Sequence, residues 1–372
     1  MMKKILLLLV VCALLSAFPV AASAAGENND YGKELESELF SAFDSETKDA
    51  LEMFGIDGIE SAGVFDFSKD SLSDYFTTNL KEKANAAFRF FFELLSVLMV
   101  VSLIGVLSGK NERGGLVNLI SVCVFSILTA QKTAAVLNIA VTMAEALNKL
   151  LASFVPIYAG IIAVSGSPVS AAAYNSLTLI FAEGVSLLMT KLVVPFVGVI
   201  LCLSIAFSMN SQIDCGRFLS AAGKCANFAL GSAAAFFAGF LSFKSILSSA
   251  ADSAASRGIR FVVSSLIPVV GSAMSEAYSA FASSINLIKG SAAVIGIAAV
   301  FVTCFPAISE LFLYFVAVSV LSFSSQILGQ NETASLFRGF ALALKVMLLV
   351  SVYGLFIVII STGLMLSVKG GS

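Results

Sequence analysis

The sequence predicts an all-α fold: a polytopic helical membrane protein with about six to eight transmembrane helices. Of its 372 residues, 58% are hydrophobic and only 12% are charged, and the mean hydropathy is +0.96. A soluble domain of this length carries far more charge. The charges are also segregated, with 15 acidic and 5 basic residues between Ala25 and Lys83 but 9 acidic and 15 basic residues in the remainder up to the C-terminus. An acidic segment therefore precedes a mildly basic membrane body.

The chain begins with the features of a cleavable signal sequence. Two lysines precede the apolar run Ile5–Leu15, and small residues then offer a cleavage site between Ala24 and Ala25. An uncleaved first transmembrane helix is the alternative, but the run is short for a span and ends near Pro19. The predicted regions are a signal peptide at 1–24, an acidic exported N-terminal segment at 25–85 and a helical transmembrane domain at 86–372.

Apolar stretches follow one another along the membrane domain. The first predicted span is Phe88–Leu107, and polar segments at Asn210–Lys224, Ala250–Arg260 and Gln330–Arg338 are predicted loops. Several stretches are too short to cross a bilayer alone, so we expect short or interrupted helices among them. The further apolar stretches are 116–138, 150–164, 171–190, 192–209, 225–247, 261–275, 286–308, 311–328 and 339–367.

Two regions of the membrane domain resemble each other weakly, at about 150–209 and 262–320. Each would hold two apolar segments interrupted by proline, a pattern found where transporters and channels place their pathway. Chance agreement between stretches rich in Ala, Ser and Val is the alternative to a true duplication. The predicted helix breaks are Pro156, Pro195, Pro268 and Pro306.

Ionisable side chains within the apolar stretches are the candidates for a functional site. A charge at the bilayer centre costs about 2.5–3.5 kcal/mol on insertion scales, so it must face protein, water or a headgroup. An alternative interpretation of Lys289, as of Lys191 and Lys244, is that the side chain extends from a helix end toward the membrane interface. Glu310 follows Pro306 and has the alternative of marking a helix boundary. The candidate intramembrane polar residues are Glu183, Lys289, Glu310 and Lys345.

The composition excludes several function classes. The chain has no histidine, which removes Ser-His and Cys-His catalysis and His-ligated zinc or haem. It also lacks the phosphate-binding loop of an ATPase. Its acidic segment and sparse basic residues argue against nucleic acid as a partner. We therefore expect no enzymatic activity, no catalytic residue, no cofactor and no metal.

One stretch has the small residues that suit close helix packing. Gly231, Ala235 and Gly239 recur every four residues and would form a ridge on one helix face. Packing within the chain is the simpler interpretation, and packing between copies in a homo-oligomer is the alternative.

The most specific stretch lies between Arg257 and Phe315. Residues 257–281 are RGIRFVVSSLIPVVGSAMSEAYSAF, residues 285–298 are INLIKGSAAVIGIA, and residues 304–315 are CFPAISELFLYF. This succession resembles the stage III sporulation protein AE family of endospore-forming bacteria. The signal sequence, the acidic exported segment and the hydrophobic C-terminus agree with that resemblance.

The resemblance implies a non-enzymatic subunit of a channel or export apparatus that links mother cell and forespore. Such a subunit would lie in the mother-cell membrane around the engulfed forespore, with an ATPase and ring-forming proteins among its partners. It would be required for forespore development after engulfment. The alternative is a stand-alone secondary transporter with a midplane site near Glu183 or Glu310.

Overall fold

The computed structural model describes residues 37, 40, 41, 43, 45–53, 69–108, 112–209, 215–266 and 271–367. Within these residues every regular element is a helix, so the predicted all-α fold is confirmed. The predicted cleavage site at Ala24 and Ala25 and the predicted break at Pro268 lie outside the described residues. The helices are α1 (Ser45–Met53), α2 (Lys69–Ser108), α3 (Glu112–Val164), α4 (Pro168–Leu188), α5 (Val194–Ser208), α6 (Cys215–Leu266), α7 (Gly271–Ile327) and α8 (Asn331–Ser367), with a π-helical turn (Met189–Val193) between α4 and α5.

Six segments in the described part of the chain are long and apolar enough to cross a membrane, in agreement with the predicted six to eight. The first contains the predicted span and begins slightly earlier, and the π-helical turn lies inside the third. The segments are Lys83–Leu107, Leu119–Val164, Pro168–Ser208, Gly216–Ala255, Ile288–Ile327 and Asn331–Leu366.

Three of the helices are much longer than a bilayer is thick. At a rise of 1.5 Å per residue, the 53 residues of α3 extend about 80 Å. The 52 residues of α6 and the 57 residues of α7 extend about as far. A hydrocarbon core is about 30 Å thick, and ordinary helix tilts do not absorb the difference. Parts of these helices therefore extend beyond the hydrocarbon layer.

The helix breaks predicted at Pro156 and Pro306 are wrong. Pro156 lies inside α3 and Pro306 lies inside α7, so apolar stretches predicted as separate segments are continuous helices. Proline removes one backbone hydrogen bond and crowds the preceding turn. In a membrane bundle, neighbouring helices and hydroxyl side chains compensate for that loss. At Pro306 the carbonyl that loses its helical donor is that of Val302, and one turn later the Ser309 hydroxyl donates to the Pro306 carbonyl at 2.8 Å.

Pro195 has a different setting. It lies in the first turn of α5, directly after the π-helical turn Met189–Val193. The first turn of a helix tolerates proline because its N–H groups have no partner within the helix. The helix therefore changes type at this point, and the chain remains helical where a break was predicted.

All three predicted loops are corrected, and the one predicted at Asn210–Lys224 is helical from Cys215 onward, where α6 begins. The polar segment Ala250–Arg260 is helical and belongs to α6, and α8 already begins at Asn331. Alanine is the best helix former, and the polar side chain of Asp252 is buried in an interhelical contact described below. Within Ala250–Arg260, the polar side chain of Asp252 thus takes part in a packing contact between helices.

The weak internal repeat does not extend to the layout of the helices. The first copy contains the turn at 165–167 between α3 and α4, where Gly166 has a φ of 92°. This left-handed conformation favours glycine. The equivalent positions of the second copy, 276–278, lie within the continuous helix α7.

The core consists of two apolar clusters. Cluster one contains parts of α3 (Met143–Ile162), α4 (Ala171–Ala182), α7 (Ala292–Ile308) and α8 (Leu355–Met365). Cluster two contains parts of α2, the earlier half of α3, the π-helical turn with α5, the later half of α7 and the earlier half of α8. Helices α3 and α8 therefore run from cluster two to cluster one, and α4–α5 and α7 run in the opposite direction.

The N-terminal segment packs against cluster one. Phe43 and Leu51 are buried in it, and the ring of Phe43 stacks on that of Phe154 with centroids 6.2 Å apart. Helix α2 instead lies along the later half of α7 and belongs to cluster two. The described part of the predicted exported segment is thus in direct contact with the membrane domain.

Candidate functional site: polar contacts between the helices

Glu310 forms an ion pair with Lys83. The Lys83 Nζ lies 3.0 Å from the Glu310 Oε2, and the glutamate side chain is 13% exposed. The pair joins α2 to α7 where α7 passes from cluster one, at Ile308, to cluster two, at Leu311. Pairing with a lysine on a neighbouring helix is how a carboxylate is accommodated among apolar helices.

Tyr314, one helical turn after Glu310, extends this contact to a third helix. Its ring packs edge-on against Phe90 of α2, with centroids 5.6 Å apart. The Lys132 Nζ of α3 lies 5.5 Å from the ring centroid of Tyr314, within the range of a cation–π interaction. One face of α7 thus binds two helices through charged and aromatic groups.

Glu183 has a different partner. It accepts a hydrogen bond of 2.7 Å from the Asn148 amide, which joins α4 to α3. This contact also lies between the two clusters, because α3 leaves cluster two at Ala144 and α4 leaves cluster one at Ala182. Glu183 and Glu310 therefore have separate partners on separate helices. We call the four residues Lys83, Asn148, Glu183 and Glu310 the polar layer.

Asp252 of α6 caps α4 from outside that helix. Its two carboxylate oxygens accept hydrogen bonds of 2.8 Å from the backbone N–H groups of Val169 and Ser170. Ser167, which precedes the helix, makes no capping bond with its side chain. A carboxylate satisfies unpaired N–H groups at a helix N-terminus and interacts favourably with the helix dipole. Asp252 is 4% exposed, so the contact excludes most water.

Lys289 of α7 is buried beside this cap. Only 2% of the residue is exposed, so the alternative that it extends from a helix end does not apply. Asp252 is its electrostatic partner, which leaves a buried charge of each sign next to the start of α4. Lys191 and Lys244, by contrast, are exposed.

Further polar groups lie among the buried side chains of cluster one. The Tyr174 hydroxyl lies 3.3 Å from the Thr362 hydroxyl, and Thr178 and Ser361 are hydrogen-bonded at 2.7 Å. Both contacts join α4 to α8. Some buried polar atoms make no hydrogen bond to any described residue, and such atoms are the usual binding points of internal water. They include the side-chain oxygens of Tyr158, Ser167, Ser170 and Asn175 (Oδ1).

Lys345 lies apart from these contacts. It is half-buried and lines an open groove between α7 and α8 together with Arg338. The structure thus places the four predicted intramembrane residues at four different places in the bundle. No cluster of three or more Cys, Asp or Glu side chains suited to a metal ion occurs within the described ranges.

The sequence interpretation missed Lys83, Asn148 and Asp252. Lys83 was assigned to the exported segment, although it begins the first apolar span. Asp252 is the one acidic residue of the span Gly216–Ala255. A lone carboxylate in such a long apolar helix was the signal that could have identified it.

The long apolar helices and the polar contacts between them define a polytopic integral membrane protein. Residues 58–368 match the family model described as stage III sporulation protein AE. This chain belongs to that family, and it is therefore a membrane protein of sporulation.

A curated relative gives the same result. The chain is 27% identical over 192 residues to the stage III sporulation protein AE of Bacillus subtilis (strain 168). The alignment covers 50% of this chain and 47% of the relative, so the match spans about half the length of each. No solved structure matches the chain.

Proposed function

We propose that this chain is a non-enzymatic membrane subunit of a sporulation channel or export apparatus that links mother cell and forespore. It would be required for forespore development after engulfment. The observation that carries this proposal is the family match over residues 58–368, which includes every described transmembrane segment. The signal peptide would be removed between Ala24 and Ala25, which would place the acidic segment outside the mother-cell membrane around the forespore.

The polar contacts support a subunit whose charges hold helices together. Glu310, Glu183 and Asp252 each connect two helices, through Lys83, Asn148 and the start of α4 respectively. A stand-alone transporter needs acidic groups that converge on one substrate or coupling ion. Here the acidic groups have separate partners, which favours the complex subunit over the transporter.

The exposed face of α6 supports assembly with other proteins. Gly231 and Gly239 have no atom within 4 Å of the position that a Cβ would take, and Ala235 is exposed. The ridge formed by Gly231, Ala235 and Gly239 therefore does not pack within the chain, contrary to the simpler interpretation of the sequence. Its span has the lowest mean hydropathy of the six, 1.5, and the smallest buried share. Small residues on a weakly apolar face suit another helix better than lipid.

We further propose that this ridge contacts other subunits of the complex or a second copy of the chain. The ATPase and the ring-forming subunits would reach the protein from its two membrane faces. The acidic segment would be the contact on the exported side.

Deletion of the gene in its spore-forming host tests the function. Arrest after engulfment, with small forespores and normal vegetative growth, is the expected phenotype. Restoration by the full chain, and capture of an ATPase and ring-forming proteins with a tagged chain from sporulating cells, would complete the support. Normal sporulation together with a solute-uptake defect would instead favour the transporter.

A further inference from the structure

A groove between α7 and α8 lies outside every contact described for the polar layer. Its volume is about 330 Å³, and it opens toward the surroundings of the bundle. Phe315, Ser319 and Gln326 line it from α7, and Arg338 and Lys345 line it from α8. Both helices contain candidate transmembrane segments at these positions. The groove therefore lies between two candidate membrane-spanning segments.

The charge of the groove is positive. Arg338 and Lys345 are seven residues apart, which places them on one face of α8 with a rise of about 10 Å between them. Among the residues that the structure describes, no acidic side chain lines the groove. Both side chains are long enough for their charged ends to approach a single group between them.

The two serine hydroxyls of the groove donate to backbone carbonyls. The Ser319 hydroxyl donates to the Phe315 carbonyl at 2.7 Å, and the Ser322 hydroxyl donates to the Ala334 carbonyl at 3.1 Å. The Gln326 amide donates to the Ser322 carbonyl at 3.2 Å. The guanidinium of Arg338 and the ammonium of Lys345 are the charged groups that line the groove.

The walls of the groove are apolar and partly exposed. Phe323 is 63% exposed, and Val320 beside it is also exposed. Arg338 lies about 10 Å along α8 from its first residue, Asn331. A basic group beside an apolar wall suits an anionic headgroup, and the aromatic wall offers a surface for acyl chains.

We propose that this groove binds an anionic phospholipid, with its phosphate held by Arg338 and Lys345 and an acyl chain against Phe315 and Phe323. Guanidinium groups bind phosphate through paired hydrogen bonds, and basic sites between transmembrane helices bind anionic headgroups. The lateral opening and the apolar wall favour a membrane lipid over free phosphate. The site is independent of the proposed role in sporulation.

Native mass spectrometry of the detergent-purified full chain tests this site. The protein is incubated separately with phosphatidylglycerol, cardiolipin and phosphatidylcholine, and the bound lipid is counted as collision energy rises. The wild type is expected to retain phosphatidylglycerol or cardiolipin at energies that remove phosphatidylcholine. Arg338→Gln and Lys345→Gln are each expected to weaken that retention about tenfold, the loss of one charge-assisted contact. Lys244→Gln, which removes an exposed lysine of α6, is the matched control and should leave retention unchanged.

One further variant and a competing anion separate the possible explanations of the result. Arg338→Lys preserves the charge and should retain part of the affinity, even where Arg338→Gln lowers the yield of folded protein. Equal retention of the three lipids by the wild type would overturn the proposal, as would equal loss in Lys244→Gln. Displacement of the lipid by millimolar inorganic phosphate would show an anion site without lipid selectivity. A co-purified protein that is lost with Arg338→Gln would show a protein interface instead.

Discussion

Lys83, at the start of the first span, and Glu310, about two thirds of the way along α7, are joined by an ion pair of 3.0 Å at the border between the two apolar clusters. Each side chain thus has its charge compensated by a residue more than two hundred positions away in the sequence. Glu310 thus connects two helices, and substitution of the pair tests this role directly.

We predict that Glu310→Gln lowers the thermal stability of the detergent-purified protein by about 1 kcal/mol, because the pair is partly solvated. The exchanged pair Lys83→Glu with Glu310→Lys should restore most of that loss. Spore formation should follow stability in both variants. Glu93→Gln, an exposed change on α2, is the control.

A transport role for Glu310 would give the opposite pattern. Glu310→Gln would then abolish spore formation at normal protein abundance. The exchanged pair would not restore it, because the carboxylate would remain absent from α7.

Asp252→Ala should destabilise the protein by about 3 kcal/mol. The substitution leaves two N–H groups at the start of α4 without their acceptor and removes a negative charge that interacts favourably with the buried Lys289. Thermal unfolding followed by circular dichroism would measure the loss. Lys244→Ala on the same helix should change the midpoint little, since that side chain is exposed. Equal midpoints for Asp252→Ala and Lys244→Ala would show that the cap contributes nothing.

Gly296→Ala and Gly231→Ala should have effects of opposite sign. A Cβ at Gly296 would collide with the Phe154 ring, which itself is held between Phe43 and Tyr158. The overpacking should cost about 1–3 kcal/mol. At Gly231 the position of the Cβ is open, so the gain in helix propensity, up to about 1 kcal/mol, should remain.

The unfolding midpoints of these two alanine variants check the prediction. Both glycines lie inside long helices, so the gain in helix propensity is similar in the two variants. The difference between their midpoints therefore reports the contact of the added Cβ with its neighbours. A stabilised Gly296→Ala would show that α3 and α7 are farther apart than described.

Phe43→Ala should release the N-terminal segment from cluster one. The ring is 4% exposed and stacks on Phe154, so its removal should cost about 3 kcal/mol of local stability. Limited proteolysis of the detergent-purified protein should remove this segment faster in the variant. Ser45→Ala, an exposed change at the start of α1, should be cut at the rate of the wild type. Equal rates for all three proteins would contradict the docking.

Composition and hydropathy were sufficient to predict the fold class, because helix is the form in which apolar segments of this length satisfy their backbone in lipid. The first span was predicted closely for the same reason. The continuity of α3 through Pro156 was not predictable from local sequence. It depends on tertiary packing, because Val155 and Tyr158 on either side of the proline are buried in cluster one.

The partners of the polar residues could likewise not be predicted from the sequence. Glu183 and Glu310 were recognised as unusual, but Asn148 and Lys83 become their partners only through the packing of α3 against α4 and of α2 against α7. Asp252 was overlooked because its surroundings are rich in alanine and serine, which also occur in loops. Burial of its carboxylate against a helix start is a tertiary property.

Helices α3 and α7 have a mechanical consequence that follows from their length and continuity. Each is a hydrogen-bonded rod of about 80 Å, and a tilt of about 5° around one end moves the other by about 7 Å. The ion pair of Glu310 and the amide contact of Asn148 lie along these rods, where they can act as fulcrums. Because each contact lies about two thirds of the way along its helix, a tilt around it moves the longer arm about twice as far as the shorter one.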